Sequence, residues 1–188
     1  MQISGDIATY IHAGKIGVMV EVTCDSDFIA QNDVFQALIH DIAMQIAAGD
    51  PKFVRKANVP PEIVEHEREK YRIQAAETRK PAPIIEKLVE GKVAKFYEEA
   101  CLYQQPFIKD PSISISTLVM SRSRELGEKL AIRRFVRFTL GDSSYTIADD
   151  PGWQSDGEDE ASVMSPKPVA PKSRSGSAAA VPDLNVSD

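Results

Sequence analysis

The sequence predicts an α+β fold: a three-stranded antiparallel sheet packed with several helices, followed by a disordered C-terminal tail. Three observations carry this. Two runs of alternating apolar residues flank a short turn near the start, a third such run lies just before residue 140, and apolar residues between them recur at helical spacing. A hydrophobic fraction of 43 % over 188 residues is ordinary for a chain with a packed core.

Each element has its own local reason. Ile7, Thr9 and Ile11 alternate with Ala8, Tyr10 and His12; Ala13-Gly14-Lys15 turns the chain; Ile16, Val18, Val20 and Val22 alternate with Gly17, Met19 and Glu21. This is a hairpin with one face on a core. Asp25-Ser26-Asp27 is rich in helix-starting residues. Phe35, Leu38, Ile39, Ile42 and Ile46 then form a helical stripe, and Ala37, Met44 and Ala48 a second apolar face, so this helix is expected to be covered on two sides. Gly49-Asp50-Pro51 stops it, and Phe53-Val54 is short and extended.

Pro60-Pro61 opens a helix running to about Arg79, with a thin stripe of Val64, Tyr71 and Ala75 and with Glu65/Arg68 and Glu69/Arg72 at i,i+3 spacing. After Lys80-Pro81-Ala82-Pro83 another helix carries Ile85, Leu88, Val89, Phe96 and Ala100; its interior Gly91 predicts a close approach or a kink. Pro106 to Pro111 reads as a fixed loop, and Ser116 as the cap of a helix bearing Val119 and Leu126 and ending near Gly127. From Arg133 to Leu140 the alternation returns: Val136, Phe138 and Leu140 on one face, Arg133, Phe135, Arg137 and Thr139 on the other. Residues 1–141 are read as one core domain.

Residues 142–188 hold nine acids against three bases, which accounts for the whole net charge of −6; the first 141 residues carry 19 of each sign. This segment also holds five prolines, nine serines and a single tryptophan, Trp153, and reads as a disordered acidic, Pro/Ser-rich tail. A balanced core lacks the basic surplus of a duplex binder, so no direct nucleic-acid partner is expected. No apolar run approaches a membrane span, and no basic, apolar leader follows Met1. Cys24 and Cys101 stand far apart and fit a reducing compartment.

Catalytic patterns are absent. Gly14-Lys15 and Gly91-Lys92 lack both the first glycine and the Ser/Thr of a phosphate loop. His66-Glu67 begins a zinc-binding helix pattern, but Lys70 stands where the second histidine belongs. No nucleophile elbow or opposed carboxylate pair occurs. The reading is of a non-enzyme with no cofactor and no metal, acting through contact with another protein.

The informative stretch is Cys24-Asp25-Ser26-Asp27-Phe28-Ile29-Ala30-Gln31-Asn32-Asp33, between a strand end and a long helix. Two readings stand. In one, Ser26 caps the helix while Phe28 or Ile29 staples its start. In the other, Asp27 and Phe28 form a wedge aimed at a partner.

The blocks Tyr10-Ile11-His12, Ile16 to Val22 and Ser26 to Ala30 resemble the core of translation elongation factor Ts. So do Asp41 to Ala48, Val89 to Lys92, Phe96 to Glu99, Gln105 to Asp110 and Ile132 to Phe138. The resemblance runs from about Thr9 to Asp142, and is to the short, single-core form of the family. It implies guanine nucleotide exchange: an Asp-Phe pair enters elongation factor Tu near its nucleotide, disturbs Mg²⁺ coordination, and GDP leaves. Asp27 and Phe28 are then the working residues, Ser26 and Ile29 position them, and Met44 and Gln45 lie beside the contact. Ser26 stands where the family has Thr, Ile29 where it has Val, and Gln31 where Arg or Lys is usual. The family's small N-terminal three-helix domain is expected to be missing. That leaves a second reading open, an exchange-deficient core serving as a binding or ribosome-associated segment. The resemblance further implies a possible homodimer, for which the late strand with Phe135 is the expected interface. It places the protein in a bacterial cytoplasm, or in a mitochondrion or plastid.

Overall fold

The computed structural model describes residues 4–78, 80–142 and 144–150. In chain order the elements are β1 (Ser4–His12), β2 (Ile16–Cys24), α1 (Asp27–Ala30), α2 (Asp33–Gly49), α3 (Pro61–Ala76), α4 (Ala82–Ala100), β3 (Pro106–Phe107), β4 (Asp110–Ser114), α5 (Ile115–Leu126), β5 (Ala131–Thr139) and β6 (Tyr145–Asp149). The α+β class is as expected.

The main sheet is antiparallel, in the order β1-β2-β5-β6. It has four strands, not three. Residues read as tail supply the fourth: β6 pairs with β5 from Phe138↔Tyr145 to Arg134↔Asp149. Its short, partly polar sequence hides the alternation. The expected tail otherwise falls on 151–188, outside the described residues. The hairpin turn forms because Ala13 and Gly14 both take positive φ, and the Lys15 N–H closes on His12 O at 2.9 Å.

Val18, Val20 and Val22 face inward and are all but fully buried. Against them lies α2, with Phe35, Leu38, Ile39, Ile42 and Ile46 buried as the stripe predicts. Its second face is not covered, since Ala37 and Ala48 are exposed. Phe135 corrects the reading of the late strand. It is 2 % exposed, paired with Val20 and Ala148 on the packed face, and so is no surface residue. The neighbouring Arg137 made that face look wet. Its guanidinium is drawn to the C-terminal end of α2, donating to Ala47 O at 3.2 Å and pairing with Asp50 at 3.2 Å.

The outer face of the sheet is apolar and open. Ile7, Ile11, Met19, Phe138, Tyr145 and Ile147 are each about half exposed or more. Several of them line a hollow of about 590 Å³.

Helices α3 and α4 pair over a small core of their own, Ala75, Val89 and Val93, with Val64, Tyr71, Ile85 and Tyr97 around it. The expected i,i+3 pairs form, Arg68 to Glu65 at 3.6 Å and Arg72 to Glu69 at 2.9 Å. Helix α4 is one continuous element, and a Cβ at Gly91 would meet nothing within 4 Å, so no close approach explains that glycine. Residues 106–114 form a small two-stranded ladder in place of a loop. The cap of α5 is Ser114, whose hydroxyl accepts from the Thr117 N–H, and not Ser116.

Candidate partner-binding site

The chain leaves β2 into α1, a single turn that is fastened at both ends. At its start, the Ser26 N–H and hydroxyl both donate to the Glu128 carboxylate, at 3.1 and 2.6 Å. Ser26 therefore holds the N-cap position without a side-chain cap bond; its hydroxyl is engaged elsewhere. Asp25 accepts from the Lys129 N–H at 3.0 Å. The Cys24 thiol donates to Ser26 O at 3.2 Å, and burial pushes its pKa up, which keeps the donor proton in place. At the far end, Gln36 Nε2 donates to Ala30 O at 2.7 Å and to Asp6 at 2.8 Å, and Asn32 caps α2 by accepting from the Val34 N–H at 2.8 Å.

This frame sorts the side chains. Ile29 turns inward and joins the main core at 7 % exposure. Phe28 turns out and is 80 % exposed, with Asp27 exposed beside it. Of the two residues read as a staple, Ile29 packs inward and Phe28 does not. Asp25, Asp27 and Asp33 are exposed along this stretch and make it acidic, and Gln31 adds no cation.

Ser26, Asp27, Phe28 and Ile29 come together on this turn; Met44 and Gln45 do not join them. They lie three helical turns along α2, about 16 Å from its start. Gln45 is 2 % exposed and committed internally: Nε2 donates to Gln105 Oε1 at 3.0 Å, and Oε1 accepts from the Ile108 N–H at 2.9 Å. It faces the interior, while Met44 is half-buried. Sequence reasoning missed Glu128, Asp25 and Gln36 as the braces of the tip. The bond between Ser26 and Glu128 spans 102 positions, and no local pattern signals it.

No group of three or more His, Cys, Asp or Glu residues among the described residues is placed to hold a metal ion. No described helix is long and apolar enough to cross a membrane.

Residues 1–142 match the family model of elongation factor Ts. The chain belongs to the elongation factor Ts family. Similar proteins named elongation factor Ts occur in Koribacter versatilis, 59 % identical over 145 residues (77 % of this chain and 66 % of that protein), and in Geobacter sulfurreducens, 51 % identical over 139 residues (73 % and 64 %). A third, from Carboxydothermus hydrogenoformans, is 50 % identical over 139 residues. The chain spans just under two thirds of the length of these relatives.

Proposed function

We propose that this chain promotes release of GDP from elongation factor Tu by pressing the Asp27-Phe28 tip into the GTPase beside its Mg²⁺-nucleotide site. The observation that carries the reading is Phe28, a large apolar ring 80 % exposed on a turn braced at both ends. A solvated phenyl ring contributes little to folding, whereas in the centre of an interface it is a favoured anchor. Bracing lowers the entropy lost on binding. Mg²⁺ bridges phosphate and protein oxygens, so a carboxylate and a ring that disturb its ligands loosen the nucleotide. The coupling is reciprocal: GDP weakens the factor as the factor weakens GDP. The protein performs no chemical conversion in this role and needs no cofactor of its own.

Family membership, with every relative named above from a bacterium, supports a role in translation elongation in a bacterial cytoplasm. Neither a nucleic acid nor a membrane is required as a partner. We further infer that two copies pair through the outer face of the sheet, which takes the place of Phe135 as the interface. Met19, Phe138, Tyr145 and Ile147 lie side by side there, each about half exposed, as an apolar patch of the kind a partner covers.

The test is stopped-flow release of fluorescent GDP from elongation factor Tu. Wild-type chain should accelerate release, Phe28→Ala should lose most of the acceleration while melting normally, and Asp27→Asn should bind yet exchange slowly. Binding to elongation factor Tu with no acceleration by the wild-type chain would favour the exchange-deficient segment instead.

A further inference from the structure

A groove between α5 and the start of β5 carries charge opposite to that of the Asp27-Phe28 tip. Arg55, Tyr103, Val119, Met120, Arg124 and Lys129 line a hollow of about 450 Å³. Its floor is apolar, with Val119 and Leu130 buried and Met120 standing at the rim, 49 % exposed. Arg55 on the rim is held by the Asp150 carboxylate at 2.6 Å. Arg124 donates to Met120 Sδ at 3.3 Å, and neither Arg124 nor Lys129 is paired with a carboxylate among the described residues. An apolar floor edged with a thioether and two uncommitted cations suits an aromatic ring flanked by carboxylates.

The chain presents such a ring itself. Phe28 stands 80 % exposed, and Asp25, Asp27 and Asp33 are exposed along the same stretch. Neither Asp27 nor Asp33 is paired with a cation among the described residues. Tip and groove also adjoin on one molecule. Lys129 lines the groove, its N–H donates to the Asp25 carboxylate at 3.0 Å, and the adjacent Glu128 holds Ser26. Complementary patches that adjoin in this way can close as a two-fold pair, in which each copy's tip meets the other copy's groove. The bracing of α1 means that little order has to be imposed on the tip when it binds.

We propose that the occupant of this groove is a second copy of the chain: the Phe28 ring of one copy sits on Val119, Met120 and Leu130 of the other, with its Asp27 carboxylate against Arg124 and Lys129, and the contact is reciprocal. It is separate from the outer face of the sheet. The pairing hides the ring offered to elongation factor Tu, so on the exchange role proposed above a paired chain is held in reserve and the GTPase competes with the second copy. The pairing itself does not depend on that role.

Sedimentation velocity of the full chain tests this, in a Phe138→Asp background so that the sheet face does not contribute. The chain should self-associate at low salt, and the association constant should fall severalfold at high salt because exposed charges help to hold the pair. Phe28→Ala and Met120→Asp, both at exposed positions, should each lower the association constant severalfold, with circular dichroism and melting unchanged. Arg124→Glu, on the surface of α5, should do the same and serves if Met120→Asp folds poorly. Mixing the Phe28→Ala and Met120→Asp chains should recover part of the association, since a mixed pair keeps one intact tip opposite one intact groove. A chain that stays monomeric in this background overturns the proposal. So does self-association that survives Phe28→Ala, or that survives both groove variants, or a mixture that recovers nothing. If the wild-type chain accelerates GDP release, Met120→Asp should accelerate it more per chain at concentrations where the wild type pairs; equal acceleration means that the ring is not hidden and overturns the proposal. A chain that pairs as stated yet does not accelerate release counts against the exchange role alone.

Discussion

Phe28 and Ile29 are neighbours with opposite duties, and the difference is measurable. Ile29→Ala removes a buried branched side chain and should cost about 2–5 kcal/mol in urea unfolding, whatever it does to exchange. Phe28→Ala should change stability by no more than about 0.5 kcal/mol, the usual span for an exposed position. A drop of many degrees in the melt of Phe28→Ala with exchange intact would mean that the ring packs in solution and is no wedge. Glu128→Ala strips the carboxylate from under Ser26 and should cost about 1–3 kcal/mol, the scale of hydrogen bonds to a charged acceptor that is partly screened by water. Glu128→Gln keeps one acceptor oxygen and should fall between. If the brace matters for presentation, both variants weaken exchange per folded molecule. The Asp-Phe pair was legible in the sequence as a candidate because an aromatic among acids at a helix start is unusual. Its exposure was not legible, since staple and wedge share the same local pattern and are separated only by which way one turn faces the core.

At the level of elements, periodicity spoke clearly where one face meets apolar packing and poorly where a charge is tethered. The stripe of α2 could be read residue by residue. The packed face of β5 was masked by Arg137, whose cation sits on the core side only because the α2 terminus and Asp50 receive it. β6 was overlooked because its inward positions are Thr146 and Ala148, small residues with little signal. Two glycines give opposite forecasts. Gly91 is an exposed interior position of α4 with open space around it, so Gly91→Ala should stabilise by about 0.5–1 kcal/mol in a denaturant melt. Gly49, at the end of α2, has no such room: a Cβ would stand 2.3 Å from Gln105 Oε1, the acceptor of Gln45. Gly49→Ala should lower stability by displacing that buried amide pair. A neutral outcome would show that Gln105 yields at no cost.

For the whole molecule, the sheet extends past the end first expected for it. A chain ending at Gly141 loses β6 and the Asp150 carboxylate that Arg55 and Asn58 hold, and should melt clearly lower than one ending at Asp150. Equal melting of the two would mean that β6 adds nothing to the fold. Should two copies pair through the outer face, Phe138→Asp, at a half-exposed position, should shift sedimentation towards monomer without lowering the melt of the isolated chain. The brace on α1 also carries a consequence for the order in which the protein is made. The tip is encoded by residues 26–29, but the carboxylate that fastens it arrives 102 residues later, and β2 meets β5 across a similar gap. Loops that long close late in folding. During synthesis the Asp-Phe pair therefore leaves the ribosome well before its clamp does, and a half-made chain has the motif without the means to hold it. On the proposed role, competence arrives in one step near the end of translation, so stalled or prematurely terminated chains should leave the GTPase undisturbed even though they contain the Asp27-Phe28 tip.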